Sequence, residues 1–320
     1  MLTNTLSKIK NGVDLTKEDA IALLNIKTTS KEFYDLLATA NDLSRSQYNN
    51  RAYIFAQIGI NSAPCSGNCK FCSLARDSFM VDAHFEKSEK QVVSEAKNLE
   101  GDNIDSLFLM TTADYDKQKY LSIGQAVRQN ISEKIQLVAN IGDFDCDYAR
   151  QLKSAGFSGV YHVVRLREGS DTDLKKEARI ATLDAIKSAG LELYYCVEPI
   201  GPEHSYDEIA DEMLRAKKYK VNIMAVMGRV NVPGTIFDGK ISLSEFELAK
   251  IAAVARIITN PKKSMCIHEP MKIPLLAGVN QLYAEYGSNP RDTNSNTDAN
   301  RGYDVKRIKA MLIDAGYSVG

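Results

Sequence analysis

Three cysteines stand close together in Cys65-Ser66-Gly67-Asn68-Cys69-Lys70-Phe71-Cys72, and no fourth lies nearby in the chain. Thiolates are soft ligands, and a [4Fe–4S] cluster ordinarily takes four of them. Three would leave one iron open to a small molecule, so the segment reads as a reactive cluster site rather than an electron store. The C-x3-C-x2-C spacing does not match the paired C-x2-C units of structural zinc sites. Disulfide use is disfavoured: six cysteines in 320 residues is sparse for a stapled scaffold, and three neighbouring cysteines cannot all pair locally. Gly67 and Asn68 allow a tight loop whose amides turn toward cluster sulfides, and Phe71 supplies an apolar wall beside the third ligand.

Such a loop needs a scaffold. From Tyr53 onward short apolar runs alternate with helical patterns, the βα rhythm of a parallel sheet covered by helices. The expected strands are Tyr53–Ile60, Ser106–Thr111, Ile135–Ile141, Gly159–Val164, Leu191–Val197, Asn222–Met227, Ser264–His268 and Gln281–Tyr286. Intervening helices are clearest at Glu89–Leu99, Tyr148–Ser154, Leu174–Ser188, Tyr206–Lys218, Ser244–Thr259 and Val305–Ala315, with Gly156, Gly190 and Gly316 as terminators. Eight strands in this rhythm predict an α/β fold, a (β/α)8 TIM-type barrel, and a barrel of roughly 250 residues fits within the chain. Residues 1–50 form a short N-terminal helical extension. It has a capping-box-like start at Thr16-Lys17-Glu18-Asp19 and a second amphipathic helix over Ser30 to Arg45. Residues 51–320 carry the barrel and a C-terminal cap segment. The polar stretch Ser288–Gly302, headed by Asn289-Pro290-Arg291-Asp292, follows the eighth strand and is either a plain surface loop or a cap on the barrel mouth.

Barrel geometry places functional groups at the C-terminal ends of strands, and the unusual residues collect there. The cysteine loop follows the first strand, Thr111 and Thr112 end the second, and Asn140 and Asp143 end the third. Arg165, Arg167 and Glu168 follow the fourth; Cys196, Glu198 and His204 mark the fifth; Arg229 and Asn231 follow the sixth. Cys266, His268 and Glu269 sit at the seventh, and Glu285 at the eighth. A mouth lined by Glu198, Arg229, His268, Glu269, Glu285 and Arg291 suits a small polar substrate with carboxylate or amine groups, with Arg229 as a carboxylate clamp. Alternatively, these charges pair with one another across the rim.

The chain is 44% hydrophobic and 25% charged, with 40 basic against 41 acidic residues. That balance suggests no nucleic-acid or membrane partner. Met1–Lys10 lacks a signal-peptide core and no apolar run approaches ~20 residues. Free thiols beside an oxygen-sensitive cluster predict a reducing cytoplasm, in an anaerobe.

C-x3-C-x-aromatic-C is the signature of radical S-adenosylmethionine (SAM) enzymes, and Cys65, Cys69, Phe71 and Cys72 resemble it position for position. The resemblance implies that Cys65, Cys69 and Cys72 ligate a [4Fe–4S] cluster whose open iron is chelated by SAM. One-electron reduction by flavodoxin or ferredoxin then yields a 5′-deoxyadenosyl radical that abstracts hydrogen. Most of the barrel is similar to the biotin synthase branch, which also holds an [FeFe]-hydrogenase maturase, methylornithine synthase and the radical enzyme of [Fe]-hydrogenase cofactor synthesis. By this likeness Phe71, Thr111, Thr112, Glu168, Arg179 and Ile200 contact SAM. Thr111 and Thr112 face its amine, Glu168 its ribose and Arg179 its carboxylate, and Ile200, in Cys196-Val197-Glu198-Pro199-Ile200-Gly201-Pro202-Glu203, packs under adenine. Val232-Pro233-Gly234-Thr235 is also similar to biotin synthases.

Biotin synthases hold an auxiliary [2Fe–2S] cluster inside the barrel with three cysteines and an arginine. Cys196 matches the strand-five cysteine, and Cys266 falls where the arginine would be, but Leu109-Met110-Thr111 and Val138-Ala139-Asn140 replace the other two cysteines. Cys146, a few residues past the third strand, is a substitute candidate. Cys146, Cys196 and Cys266 therefore hold a second iron–sulfur cluster, with His268 or His162 as further ligand, or supply a thiol that handles a substrate radical, or are buried small hydrophobes. The favoured expectation is a radical SAM enzyme of cofactor or amino-acid-derived metabolite biosynthesis, performing rearrangement, fragmentation or cofactor assembly. Sulfur insertion is the alternative, and a non-catalytic iron–sulfur scaffold or carrier is the alternative of another class.

Overall fold

Eight parallel strands close on themselves: β1 (Arg51–Gly59), β2 (Ser106–Met110), β3 (Gln136–Asn140), β4 (Gly159–Tyr161), β5 (Glu192–Ile200), β6 (Ile223–Gly228), β7 (Ser264–His268) and β8 (Gln281–Tyr286). Each pairs with the next, and β8 returns to β1 in the register Tyr53–Gln281 through Ile58–Tyr286, so the eight strands close into a barrel; Ser318–Val319 pairs in addition with the start of β1. This is the (β/α)8 barrel that the alternation of runs predicts. The computed structural model describes residues 13–286 and 303–320, with positions 5, 7, 8 and 11. The expected cap stretch Ser288–Gly302, Arg291 included, lies outside the described residues.

Outside the barrel lie α1 (Lys17–Leu24), α2 (Lys31–Gln47), α3 (Glu89–Gly101), α4 (Lys117–Asn130), α5 (Cys146–Ser154), α6 (Lys176–Ala189), α7 (Tyr206–Tyr219), α8 (Glu245–Thr259) and α9 (Val305–Asp314). Local chemistry sets their ends. Thr16 and Asp19 form the expected capping box, and Ser88–Gln91 and Ser205–Glu208 form two more. Gly190 closes α6 at φ +68°, a conformation that suits glycine. Helix α8 is buried from Leu248 to Thr259 because it lies against both the barrel and α2; its buried Arg256 donates to Ser44 and Gln47 of α2.

Inside the barrel, inward residues alternate with outward ones. Phe55 stacks on Phe108 (4.5 Å) and on Tyr283 (5.2 Å), and Tyr194 meets Phe108 edge-on at 5.3 Å. These rings fill the interior as a packed floor. His268, 4.5 Å from Tyr283, and Tyr161 join that floor to the space above it.

Candidate active site

The cysteine loop leaves β1 through a short antiparallel ladder, Asn61–Ser62 against Phe85–Glu86. Its ends are tied by Cys65 N–H to Leu74 O (2.8 Å) and Arg76 N–H to Cys65 O (3.1 Å). Asn68 takes φ +47°, as the tight turn requires, and its side chain bonds Asp77 and Asp173 at 2.7 and 3.0 Å. The segment after β4 receives the loop: Lys70 N–H donates to Asp171 O and Asp173 N–H to Gly67 O, at 3.0 and 2.9 Å.

Cys65, Cys69 and Cys72 all face one cavity. Backbone amides already point at two of the sulfurs: Ala113 N–H lies 3.4 Å from Cys65 Sγ, and Leu74 N–H 3.3 Å from Cys72 Sγ. Burial pushes the Cys69 thiol up to about 11 and Cys72 higher still, so the thiolates need a cation to stabilise them. Three convergent sulfurs with amide donors fit an iron–sulfur cluster with one iron left for another ligand. Among the described residues no three Cys, His, Asp or Glu side chains gather around a single metal ion.

The cavity opens at the barrel mouth. Phe71, Thr111, Thr112, Arg179, Glu198, Arg229 and His268 line it, as expected residues. Thr112 Oγ1 accepts from Asn61 at 2.9 Å, while Thr111 Oγ1 is buried without a partner. Gln57, Tyr161 and Met227 join the wall without having been singled out; inward parity near the strand ends was their signal. Arg165, expected only as a strand-end residue, sits centrally. Its Nε approaches Glu198 Oε1 at 3.4 Å, and its buried Nη1 has no hydrogen-bond partner.

Three of the expected residues, Glu168, Ile200 and Glu285, are not on this cavity's wall. Glu168 is off the wall: its carboxylate accepts from Thr172 Oγ1 (2.6 Å) and Arg165 N–H (2.9 Å) and lies 3.6 Å from Arg179 Nε. It ties the segment after β4 to Arg179 of α6. Arg179 is itself committed to Val163 O and Asp143, each at 2.9 Å. Ile200 is buried, yet it borders a separate hollow with His204 and Tyr206. An extra residue in β5 between Val197 and Ile200 shifts the register, and such a bulge turns the following side chain to the other face. Glu285 is buried in β8, paired in register with Gln57, and is not on the cavity wall.

The auxiliary cysteines do not come together as a trio. Cys196 and Cys266 are fully buried and flank Ala225 in register within the barrel, but Cys146 is exposed at the first position of α5, outside it. His162 faces away as well: its Nε2 contacts Arg179 O at 3.2 Å, and desolvation, then Arg179 and Arg165, hold the imidazole neutral. Glu198 accepts from Tyr161 Oη, which also lies against Cys196. Burial first, then Cys196 and Glu198, keep that phenol protonated.

A closed parallel barrel with a three-cysteine loop at its C-terminal mouth defines an iron–sulfur enzyme of the TIM-barrel type. No protein-family model matches the chain. It is 28% identical over 274 residues to a biotin synthase of Clostridioides difficile (strain 630), covering 78% of this chain and 81% of that one. It is 24% identical to a biotin synthase of Pelotomaculum thermopropionicum, covering 88% and 91%. Among solved structures, methylornithine synthase (PylB) superposes with a TM-score of 0.83 at 17% identity over 98% of this chain and 96% of that one. The FeFe-hydrogenase maturase HydG from Carboxydothermus hydrogenoformans gives 0.82 at 18% identity, over 99% and 79%. By sequence the chain is similar to biotin synthases over most of its length, and it shares the fold of methylornithine synthase and the HydG maturase.

Proposed function

We propose that this enzyme holds a [4Fe–4S] cluster on Cys65, Cys69 and Cys72, binds SAM against it, and abstracts hydrogen from a small polar substrate to begin a rearrangement, a fragmentation or a cofactor-assembly step. The observation that carries this reading is the convergence of three cysteine sulfurs, two of them met by backbone amides, on one barrel-mouth cavity whose wall carries Arg165, Arg229 and Glu198. Cluster and SAM, when bound, would supply reductive sulfonium cleavage and a carbon radical. The chain's own residues do the rest. Phe71 shields the third ligand, Arg165 offers a buried N–H beside Cys69, and Thr111 presents an unpartnered hydroxyl. Tyr161 and His268 close the floor and keep water from the reacting carbon. Flavodoxin or ferredoxin is the proposed electron source.

The test is anaerobic reconstitution with SAM and dithionite. We expect 5′-deoxyadenosine and methionine, and loss of both cluster absorbance and cleavage in the triple variant Cys65→Ala/Cys69→Ala/Cys72→Ala. Cleavage surviving in that variant would refute the ligand assignment. A second reading, sulfur insertion, is favoured by the names of the sequence relatives and by Cys196 and Cys266 sharing one barrel layer. Iron counting separates the two: about four irons per chain supports a single cluster, and roughly six or more supports an auxiliary one.

A further inference from the structure

Two guanidinium Nη1 atoms on the cavity wall, those of Arg165 and Arg229, are buried and have no hydrogen-bond partner. A buried donor of this kind is costly to leave unmade, so each points to an acceptor that arrives with a ligand. SAM carries one carboxylate. Arg165 claims it by position, since it lines the cavity after β4, in the segment that holds the cysteine loop through Lys70 N–H to Asp171 O at 3.0 Å. Arg229 is then left over.

Arg229 is held to face inward. Its side chain is 1% exposed; Nε and Nη2 bind the two oxygens of Glu203 at 2.9 and 3.1 Å, and Nη2 also donates to Ile241 O at 2.9 Å. Phe237 covers the guanidinium at 5.5 Å. The Nε and Nη2 donors are taken, Nη1 alone lacks a partner, and Arg229 belongs to the cavity wall. Glu203 already balances much of the arginine's charge, and Glu198 lies on the same wall. A doubly charged phosphate would be repelled there, whereas a single carboxylate matches one N–H face.

We propose that Arg229 is the specificity-determining anchor for a carboxylate on the substrate, placed at the ends of β5 and β6 across the cavity from the SAM carboxylate. This rests on the radical SAM reading above and adds the substrate's chemical class. The test uses the reconstituted holoenzyme with SAM and dithionite, and a panel of α-amino, α-hydroxy and ω-amino acids, each beside its own carboxamide. We expect one or more acids to stimulate 5′-deoxyadenosine formation while their amides do not. In Arg229→Gln the half-saturating concentration of an active acid should rise roughly thirtyfold or more, the acid-to-amide preference should collapse, and Arg229→Lys should restore part of it. Iron content and melting temperature establish that the variants are folded, and Glu203→Gln, which frees rather than removes the guanidinium, should weaken the preference in the same direction.

A panel in which no acid outperforms its amide overturns the inference. So does an Arg229→Gln protein whose main defect is in SAM affinity, since Arg229 would then serve the cofactor. Failure of the underlying reading looks different: wild-type protein with an intact cluster would form no 5′-deoxyadenosine with or without any panel member.

Discussion

Gly142 shows how a residue far from the cysteines in sequence controls their surroundings. A Cβ built there would sit 2.3 Å from Ala113 O, and Ala113 N–H is the amide aimed at Cys65 Sγ. Gly142→Ala must therefore displace the chain that caps the first ligand. We expect a loss of about 1–3 kcal/mol in stability, as for other overpacked sites, together with fewer irons per chain after reconstitution. A variant with unchanged melting temperature and full iron would show that the Ala113 contact does not matter. The cysteine triplet was legible in the sequence because thiolate spacing alone identifies it. Gly142 was not, since nothing local marks a glycine required by the backbone of the turn after β2. The bonds of the Glu168 carboxylate to Thr172 and Arg165 were not legible for a related reason: they depend on how the loop after β4 folds back on itself.

At the scale of elements, the strands were readable because apolar runs bounded by turns have few other uses, and seven of the eight lie within a residue or so of expectation at their N-terminal ends. Helix α4 was not singled out. Gly124 sits in its middle, lowering helix propensity, and it is there because a Cβ would meet the Phe157 ring at 2.3 Å. Tertiary packing decided the element against its local signal. Helix α7 offers a test of capping and charge together. Ser205 caps it with Glu208, and Arg167, from the loop after β4, binds Glu208 at 2.8 Å. Arg167 above all, then the Ser205 amide and hydroxyl, lower the Glu208 carboxyl from 4.5 to about 2. A lowered carboxyl stabilises the fold above its usual value and loses that contribution as pH falls from about 4.5 toward 2. Both side chains are about a third exposed, so the effect should stay below about 1 kcal/mol. Ser205→Ala should cost about 1 kcal/mol at neutral pH. Glu208→Gln should flatten the acid limb of the stability curve measured by urea unfolding; an unchanged limb would remove Glu208 from it.

For the molecule as a whole, the cavity draws its walls from all around the barrel. The cysteine loop, which begins after β1, is tied to the segment after β2 through Ala113, after β4 through Asp171 and Asp173, and after β6 through Phe237 N–H to Lys70 O at 3.1 Å. A ligand seated there touches chain from Gln57 to His268, so its binding should stabilise the closed barrel globally rather than one loop. Linkage sets the size: a ligand at a hundred times its Kd adds about 2.7 kcal/mol, which for a chain of this length is a rise in Tm of roughly 3–6 °C. SAM should produce that rise in cluster-loaded protein under anaerobic conditions. In the triple cysteine variant it should vanish, because the proposed site gives SAM its strongest anchor at the open iron. An equal rise in both proteins would place SAM binding elsewhere. A rise confined to the loaded protein would couple the cysteine loop to the arginines of the cavity wall.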